Sequence, residues 1–237
     1  MFFRFRVGLL HLLSVISISA CGLASVKAPA PVAAYAFNEA TGTTVADASG
    51  NGNIGTVVHA TWTHMGHSGG ALSFGGTTAG RVTVPDAASL HLTEGMTLEA
   101  WVNPSATVTT TWQAVIYKGL DVYLLGTNSP TGFPVGGGKM GAKEVLTPGV
   151  ALLPLHSWTH MATTYDGTTL RLYINGAEVS SLPDTGRIRD STAPLEIGGS
   201  LADGGPFAGL IDDVRLYSTA LTAAQIQTDM NTPVESR

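Results

Sequence analysis

A single cysteine, few charges and almost no helical periodicity set the first limits on this 237-residue chain. Cys21 has no second cysteine to pair with, so no internal disulfide braces the fold and stability must come from an apolar core, with or without a metal. Only 12% of the residues are charged, and the formal net charge is −5. No basic patch follows from that balance, which excludes nucleic acid as a partner. There is no H-E-x-x-H pair, and His59, His64 and His67 stand without cysteine ligands, which argues against zinc. What the chain does have is glycine and proline, 29 and 12 of them, and a 44% hydrophobic content. That is enough apolar material for one full core, cut into many short segments by turns.

The N-terminus reads as a targeting segment. Arg4 and Arg6 precede an apolar run from Val7 to Ile18, too short for an ordinary spanning helix. Ile18-Ser19-Ala20-Cys21 resembles a bacterial lipobox, in which Cys21 becomes the lipidated first residue; ordinary cleavage near Ala20 or Ala24 is the alternative. Gly22 follows, with no aspartate there to signal inner-membrane retention. The expected organisation is a lipoprotein-type signal peptide over 1–20, a tether over 21–31, a globular domain over 32–232 and a tail over 233–237. The protein is then exported and held at the outer membrane or cell surface by its lipid, or otherwise secreted.

From Val32 onward, short alternating runs separated by glycine-rich turns predict an all-β, antiparallel two-sheet sandwich. Strands are expected at Ala34–Phe37, Gly55–His59, Ala71–Phe74, Arg81–Val84, Thr97–Val102, Ala114–Lys118 and Val122–Leu125. Further strands follow at Thr159–Tyr165, Leu170–Ile174, Ala177–Val179, Leu195–Ile197 and Leu210–Tyr217. Asp166-Gly167 and Asn175-Gly176 are two-residue hairpin signals. One short helix is expected where Thr222 and Gln225 form a capping box, with Ile226 and Met230 on one face. Thr127 to Leu155, rich in glycine and proline, reads as a long loop or irregular hairpin. No internal repeat is visible.

Several segments, taken in order, carry a family likeness: A-Y-A-F-N-E from Ala34, D-A-S-G-N-G-N from Asp47, G-G-A-L-S-F-G-G from Gly69 and M-T-L-E-A-W-V from Met96. They continue with W-T-H-M-A-T-T-Y-D-G from Trp158, L-R-L-Y-I-N-G from Leu170 and G-L-I-D-D-V-R-L-Y from Gly209. This set resembles the laminin-G-like jellyroll of the concanavalin A-like sandwich group. The resemblance implies two antiparallel sheets, one of them concave, with ligands taken at the concave face or the loop rim. It also implies a non-catalytic recognition or adhesion module for glycans or proteins. Fold analogy alone does not fix the ligand.

Asp212 demands a chemical explanation: by the period of two it shares a face with Leu210, Val214 and Leu216, which places a carboxylate toward the core. Asp47 to Asn53 puts oxygen-bearing side chains at alternate positions of a glycine turn, as hard cations require. A structural calcium held by Asp47, Asn51, Asn53 and Asp212, with Asp213 on the opposite face as a weaker candidate, is the expectation; similar jellyrolls often hold calcium with these two segments. Gly66-x-Ser68-x-Gly70 matches a nucleophile-elbow pattern, but a strand rather than a helix follows Ser68. Gly136, Gly138 and Gly141 match G-x-G-x-x-G without a βαβ unit around them.

The sandwich glucanases carry E-x-D-x-x-E on one face. No such pair occurs here, and the adjacent Asp212 and Asp213 point apart, so no catalytic residue is assigned. Trp101, Tyr165, Tyr173 and Phe74 are expected in the core. Trp62, Trp112, Tyr117 and Tyr123 lie near turns or strand ends, and with Asp121 they form the candidate ligand site; Lys118 and Arg81 are further polar candidates. The favoured function is a monomeric, envelope-anchored recognition module for glycan or a cell-surface protein. A divergent polysaccharide hydrolase or lyase and a structural surface-assembly protein are the alternatives.

Overall fold

The computed structural model describes residues 29–77, 80–106, 111–119, 121–129, 132–200 and 205–236. Cys21, the signal segment and most of the tether lie outside the described residues. The first eight strands are β1 (Ala33–Tyr35), β2 (Thr44–Val45), β3 (Gly55–Val58), β4 (Thr61–Thr63), β5 (Ala71–Gly75), β6 (Arg81–Val84), β7 (Met96–Pro104) and β8 (Gln113–Lys118). They are followed by β9 (Tyr123–Asn128), β10 (Val135–Met140), β11 (Lys143–Pro148), β12 (Thr159–Tyr165), β13 (Thr169–Ile174), β14 (Ala177–Pro183), β15 (Leu195–Ile197) and β16 (Ala208–Tyr217). Among the described residues, a 3-10 turn at Ala88–Leu90 and one α-helix, α1 (Ala223–Met230), complete the elements. One sheet runs β14-β13-β12-β7-β16-β5-β4, with β1 also on β16; the other runs β11-β10-β9-β8-β15-β6-β3-β2. Every pairing within these sheets is antiparallel, as expected of a jellyroll sandwich.

The two sheets bury a shared core that includes Tyr35, Phe37, Leu72, Val82, Leu98, Ile116, Tyr123, Leu125, Met161, Tyr165 and Leu216. Alternation explains the choice: in β9, Tyr123 and Leu125 face the other sheet and Leu124 faces away. The segment Thr127–Leu155 departs from the expected loop, because it contains the β10–β11 hairpin with six paired positions. Its glycines hid it. Gly136 packs against β12, where a Cβ would stand 2.3 Å from the Thr163 hydroxyl oxygen, so the strand approaches the opposite sheet only without a side chain. The G-x-G-x-x-G match is therefore a strand and its turn.

The helix forms as its cap predicts. The Thr222 side chain accepts from the Gln225 N–H, and the Gln225 side chain accepts from the Thr222 N–H. Its buried Ile226 packs with Leu221, Ala162, Tyr173 and Tyr217 on the outer face of the first sheet. Tyr173 is thus under the helix rather than between the sheets. Trp101 also lies outside that core, half-buried on the same outer face, with the His67 ring stacked on it at 3.6 Å.

Candidate functional site

The outer face of the second sheet presents side chains in a cross-strand row: Leu146, Gly137, Leu124, Tyr117, Glu196, Thr83 and Thr56. Six interstrand steps of about 4.8 Å make it roughly 29 Å long. Tyr117 sits at the middle. On one side the row is apolar; on the other, Arg81 Nε lies 3.2 Å from Glu196 Oε1. Beside Tyr117 the surface sinks into a recess of about 190 Å³ lined by Trp112, Ala114, Tyr117, Asp121, Leu124 and Glu144, with Gly126 leaving room between them.

Three of the five candidate ligand residues, Trp112, Tyr117 and Asp121, therefore line one recess. The Tyr117 hydroxyl donates to Asp121 Oδ1 at 2.9 Å, and Lys139 Nζ lies 3.4 Å from Asp121 Oδ2. Asp121 itself occupies the left-handed region at φ 57, in the turn between β8 and β9. Trp112 is half-buried at the start of β8, with Ala114, Tyr117, Leu124 and Val135 as its apolar neighbours. A flat aromatic face over an apolar floor, rimmed by carboxylates, suits a sugar ring: C–H groups stack on the indole and hydroxyls reach the acceptors.

The other two candidates are elsewhere. Tyr123 is fully buried in the inter-sheet core, its hydroxyl donating to the Leu90 carbonyl, because it shares the inward face of β9 with Leu125. Trp62 lies on the edge strand β4 of the first sheet, half-buried, its indole N–H donating to the Gly42 carbonyl at 2.9 Å. Lys118 is buried, paired with Asp86 and donating to the Ala193 carbonyl. Glu144 and Leu124 were missed by sequence reasoning: Glu144 falls in the stretch read as loop, and Leu124 follows from alternation only once Tyr123 is placed inside.

Asp212 is buried, but not in the apolar core. A bulge between Asp212 and Arg215, with Asp213 at φ 46, shifts the alternation of β16. Ile211, Val214 and Leu216 face the core, and Leu210 is half-exposed on the other side. The bulge sits where β16 passes from β5, paired along Ala208–Ile211, to β1, paired along Val214–Leu216. On that edge no strand pairs with Asp212 or Asp213, while β7 pairs with Asp212 on the other. The carboxylate fills the gap, accepting from the Ser68 N–H at 2.9 Å and the Asp213 N–H at 2.7 Å. The Ser68 backbone thus serves as a turn donor, while its hydroxyl lies 3.1 Å from His67 Nδ1. Burial, and then the Asp213 charge, push Asp212 up to about 7; burial also raises Asp213, which accepts from the Val234 N–H.

Asp47 has different partners. Its oxygens accept four hydrogen bonds, from the N–H groups of Ala34, Ser49 and Asn53 and from the Ser49 hydroxyl. The Asn51 and Asn53 amides both donate to the Val32 carbonyl, and the Asn53 side-chain oxygen accepts from Ser89. This loop is a hydrogen-bonded Asx turn in which the Asp47 oxygens are taken as acceptors, and it shares no partner with Asp212. The Asp47 segment and Asp212 therefore do not converge on one site. The Asp212–Asp213 pair, two buried carboxylates raised by burial, fits one in charge. Among the described residues, no group of three or more histidine, cysteine, aspartate or glutamate side chains is arranged to hold a metal.

A second buried polar cluster lies under the helix side of the first sheet. Glu99 is inaccessible to solvent, with Arg215 Nη1 at 3.7 Å and His160 Nε2 at 3.9 Å. Burial raises Glu99 well above the carboxylate range despite Arg215, and burial followed by Arg215 lowers His160 to about 3. Closed to solvent, these groups hold structure rather than substrate.

The fold and the recess define a jellyroll sandwich with an aromatic pocket on one sheet. The laminin-G family model of the concanavalin A-like lectin/glucanases superfamily matches residues 74–227, more than half of the chain, and the protein belongs to that family. A stretch of 80 residues, 32% of the chain, is 38% identical to mouse pappalysin-1, and spans only 5% of that protein. Among solved structures, the chain is similar to domain 4 of AbnA, a GH43 extracellular arabinanase from Geobacillus stearothermophilus, in complex with arabinotriose. The identity is 22%, the coverage is 84% of this chain and 98% of that one, and the TM-score is 0.67. It is also similar to the binding domain of Paraclostridial Mosquitocidal Protein 1, at 15% identity, 85% and 52% coverage and a TM-score of 0.70. The binding domain of botulinum neurotoxin DC in complex with SialylT aligns at 14% identity, 85% and 51% coverage and a TM-score of 0.67. The chain spans about half the length of these toxin domains. At such identities the likeness establishes the fold.

Proposed function

We propose that this protein is a non-catalytic glycan-recognition module whose ligand enters the recess between Trp112 and Glu144. The convergence of Trp112, Tyr117 and Asp121 on one outer sheet face carries this reading. Two of its structural neighbours were solved with saccharide ligands, which supports a sugar over a peptide as occupant. The volume of about 190 Å³ is below the roughly 300–1,000 Å³ of pockets that enclose drug-sized ligands, so one sugar residue enters and the rest of the glycan stays in solvent. A glycan array on the purified domain tests the reading, with Trp112→Ala expected to weaken the signal at unchanged fold.

Asp121 and Glu144 both line the recess, and that observation favours hydrolysis as the second reading. Both Asp121 oxygens are already engaged as acceptors, by Tyr117 and Lys139, which supports positioning over proton transfer. Release of reducing ends from a polysaccharide panel, lost in Glu144→Gln, would establish the hydrolase instead.

The module works outside the cell in this proposal, tethered through acylated Cys21. Cys21→Ala should move the protein from the membrane fraction to the soluble fraction or block processing, and equal membrane association of the variant would overturn the anchor. A structural divalent cation belongs to the proposal only at Asp212 and Asp213, where it would neutralise two buried carboxylates and tie the Ser68 turn to the C-terminal tail.

A further inference from the structure

We infer that the recess selects non-acidic sugars and that Glu144 sets this selectivity; the inference rests on the glycan reading of the same site. The two lining residues that are charged at neutral pH, Asp121 and Glu144, are both acids. Lys139 is paired with Asp121 Oδ2 at 3.4 Å and faces Glu144 directly across the β10–β11 ladder. One cation thus stands between two acids. A uronic or sialic acid residue placed on Trp112 would bring a third carboxylate into a concavity with an excess of negative charge and an apolar floor of Ala114 and Leu124. A concave wall concentrates that repulsion, because the field is less screened there than on an open surface.

An uncharged ring meets no such penalty. Its hydroxyls are donors, and carboxylate oxygens are acceptors only, so the same two acids that repel a uronate accept hydrogen bonds from a neutral sugar. Of the two acids, Asp121 is tied to Tyr117 and held in a left-handed turn, so its substitution would disturb the wall itself. Glu144 is exposed on β11, the last strand of its sheet, and can be changed without touching the core. That makes it the position at which selectivity can be altered.

The experiment compares matched neutral and acidic probes by calorimetry or saturation-transfer NMR: methyl glucoside with methyl glucuronide, methyl galactoside with methyl galacturonide, and lactose with sialyllactose. The wild-type chain should prefer the neutral member of any pair it binds by at least about tenfold at low salt, and the ratio should shrink as salt is raised. Glu144→Gln should narrow the ratio, and Glu144→Lys should narrow it further or invert it, with circular dichroism and thermal midpoint close to wild type. Equal affinity for both members of a bound pair, or a ratio that neither substitution moves, overturns the inference and leaves the glycan reading standing. Binding to no probe, neutral or acidic, in a concentration range where the array also stays dark, overturns both.

Discussion

Gly136→Ala probes the placement of β10, the strand that glycine conceals and that joins β9 to β11, from which Glu144 reaches the recess. Gly136 is not among the residues with positive φ, so alanine meets no backbone strain there. In an extended strand, its lower unfolded-state entropy would even stabilise the protein by about 0.4–1 kcal/mol. The structure reverses that sign. The added Cβ would lie 2.3 Å from Thr163 Oγ1, 2.4 Å from Thr163 Cβ and 3.1 Å from its methyl group. Thr163 is buried in β12 and its hydroxyl donates to the Arg171 carbonyl, so it cannot swing away without losing a hydrogen bond. Overpacking of this kind costs about 1–3 kcal/mol. For a domain of this size, 1 kcal/mol moves the midpoint by about 2–4 °C, so Gly136→Ala should lower it by several degrees. Thr163→Ala should also destabilise, yet the double variant should lose less than the sum, with a coupling of about 0.5–3 kcal/mol. Calorimetry of the four proteins closes the cycle. A Gly136→Ala midpoint at or above wild type, or strict additivity, would mean that β10 does not face Thr163 and that the hairpin is misplaced.

The Asp212 value of about 7 lies above the ordinary carboxylate value, so the folded protein binds a proton that the unfolded chain has released; this stabilisation is complete below pH about 4 and lost as the pH rises through 7. In metal-stripped protein, the wild-type midpoint should therefore fall relative to that of Asp212→Asn between pH 4 and 8, and calcium should restore the wild type alone; parallel pH profiles would remove Asp212 as the source. His160 acts in the opposite sense, because a value lowered to about 3 contributes stability that is present above its ordinary value of 6.5 and lost as pH falls toward 3. A His160→Gln variant should flatten that acid limb, which chemical denaturation at pH 3 to 7 measures. Thr222→Ala should cost about 1 kcal/mol through loss of the helix cap and reduce hydrogen-exchange protection in α1 before that in β12.

Most strands were legible because their residues alternate cleanly; Arg81–Val84, Thr159–Tyr165 and Leu195–Ile197 match their expected bounds. The β10–β11 hairpin was not, since three consecutive glycines carry no pattern for alternation to read; Gly136 owes its place to the close approach of β12, and Gly137 and Gly138 lie against the backbones of β11 and of Val122–Tyr123. Asp212 was singled out correctly as a buried carboxylate, but a one-residue bulge inverts its face, and no local signal announces a bulge whose cause is the junction of β5 and β1 on one edge of β16. Of the candidate site, Trp112, Tyr117 and Asp121 were readable as aromatic and acidic residues at strand ends. Their convergence depends on pairing, as does the inward turn of Tyr123. Glu144 comes to the recess from a strand about thirty residues along the chain, a partner that only the sheet order supplies.

The central claim is that a sugar stacks on Trp112 in the recess of the second sheet. Array binding followed by calorimetry of wild type, Trp112→Ala and Trp62→Ala against the same glycan tests it most directly. Base and ring stacking on a single aromatic residue is worth about 1–3 kcal/mol, so Trp112→Ala should weaken affinity by roughly tenfold or more while its midpoint stays within a few degrees. Trp62→Ala, on the opposite sheet, should leave affinity intact. Glycan binding that survives Trp112→Ala, or that is lost with Trp62→Ala instead, would contradict the account.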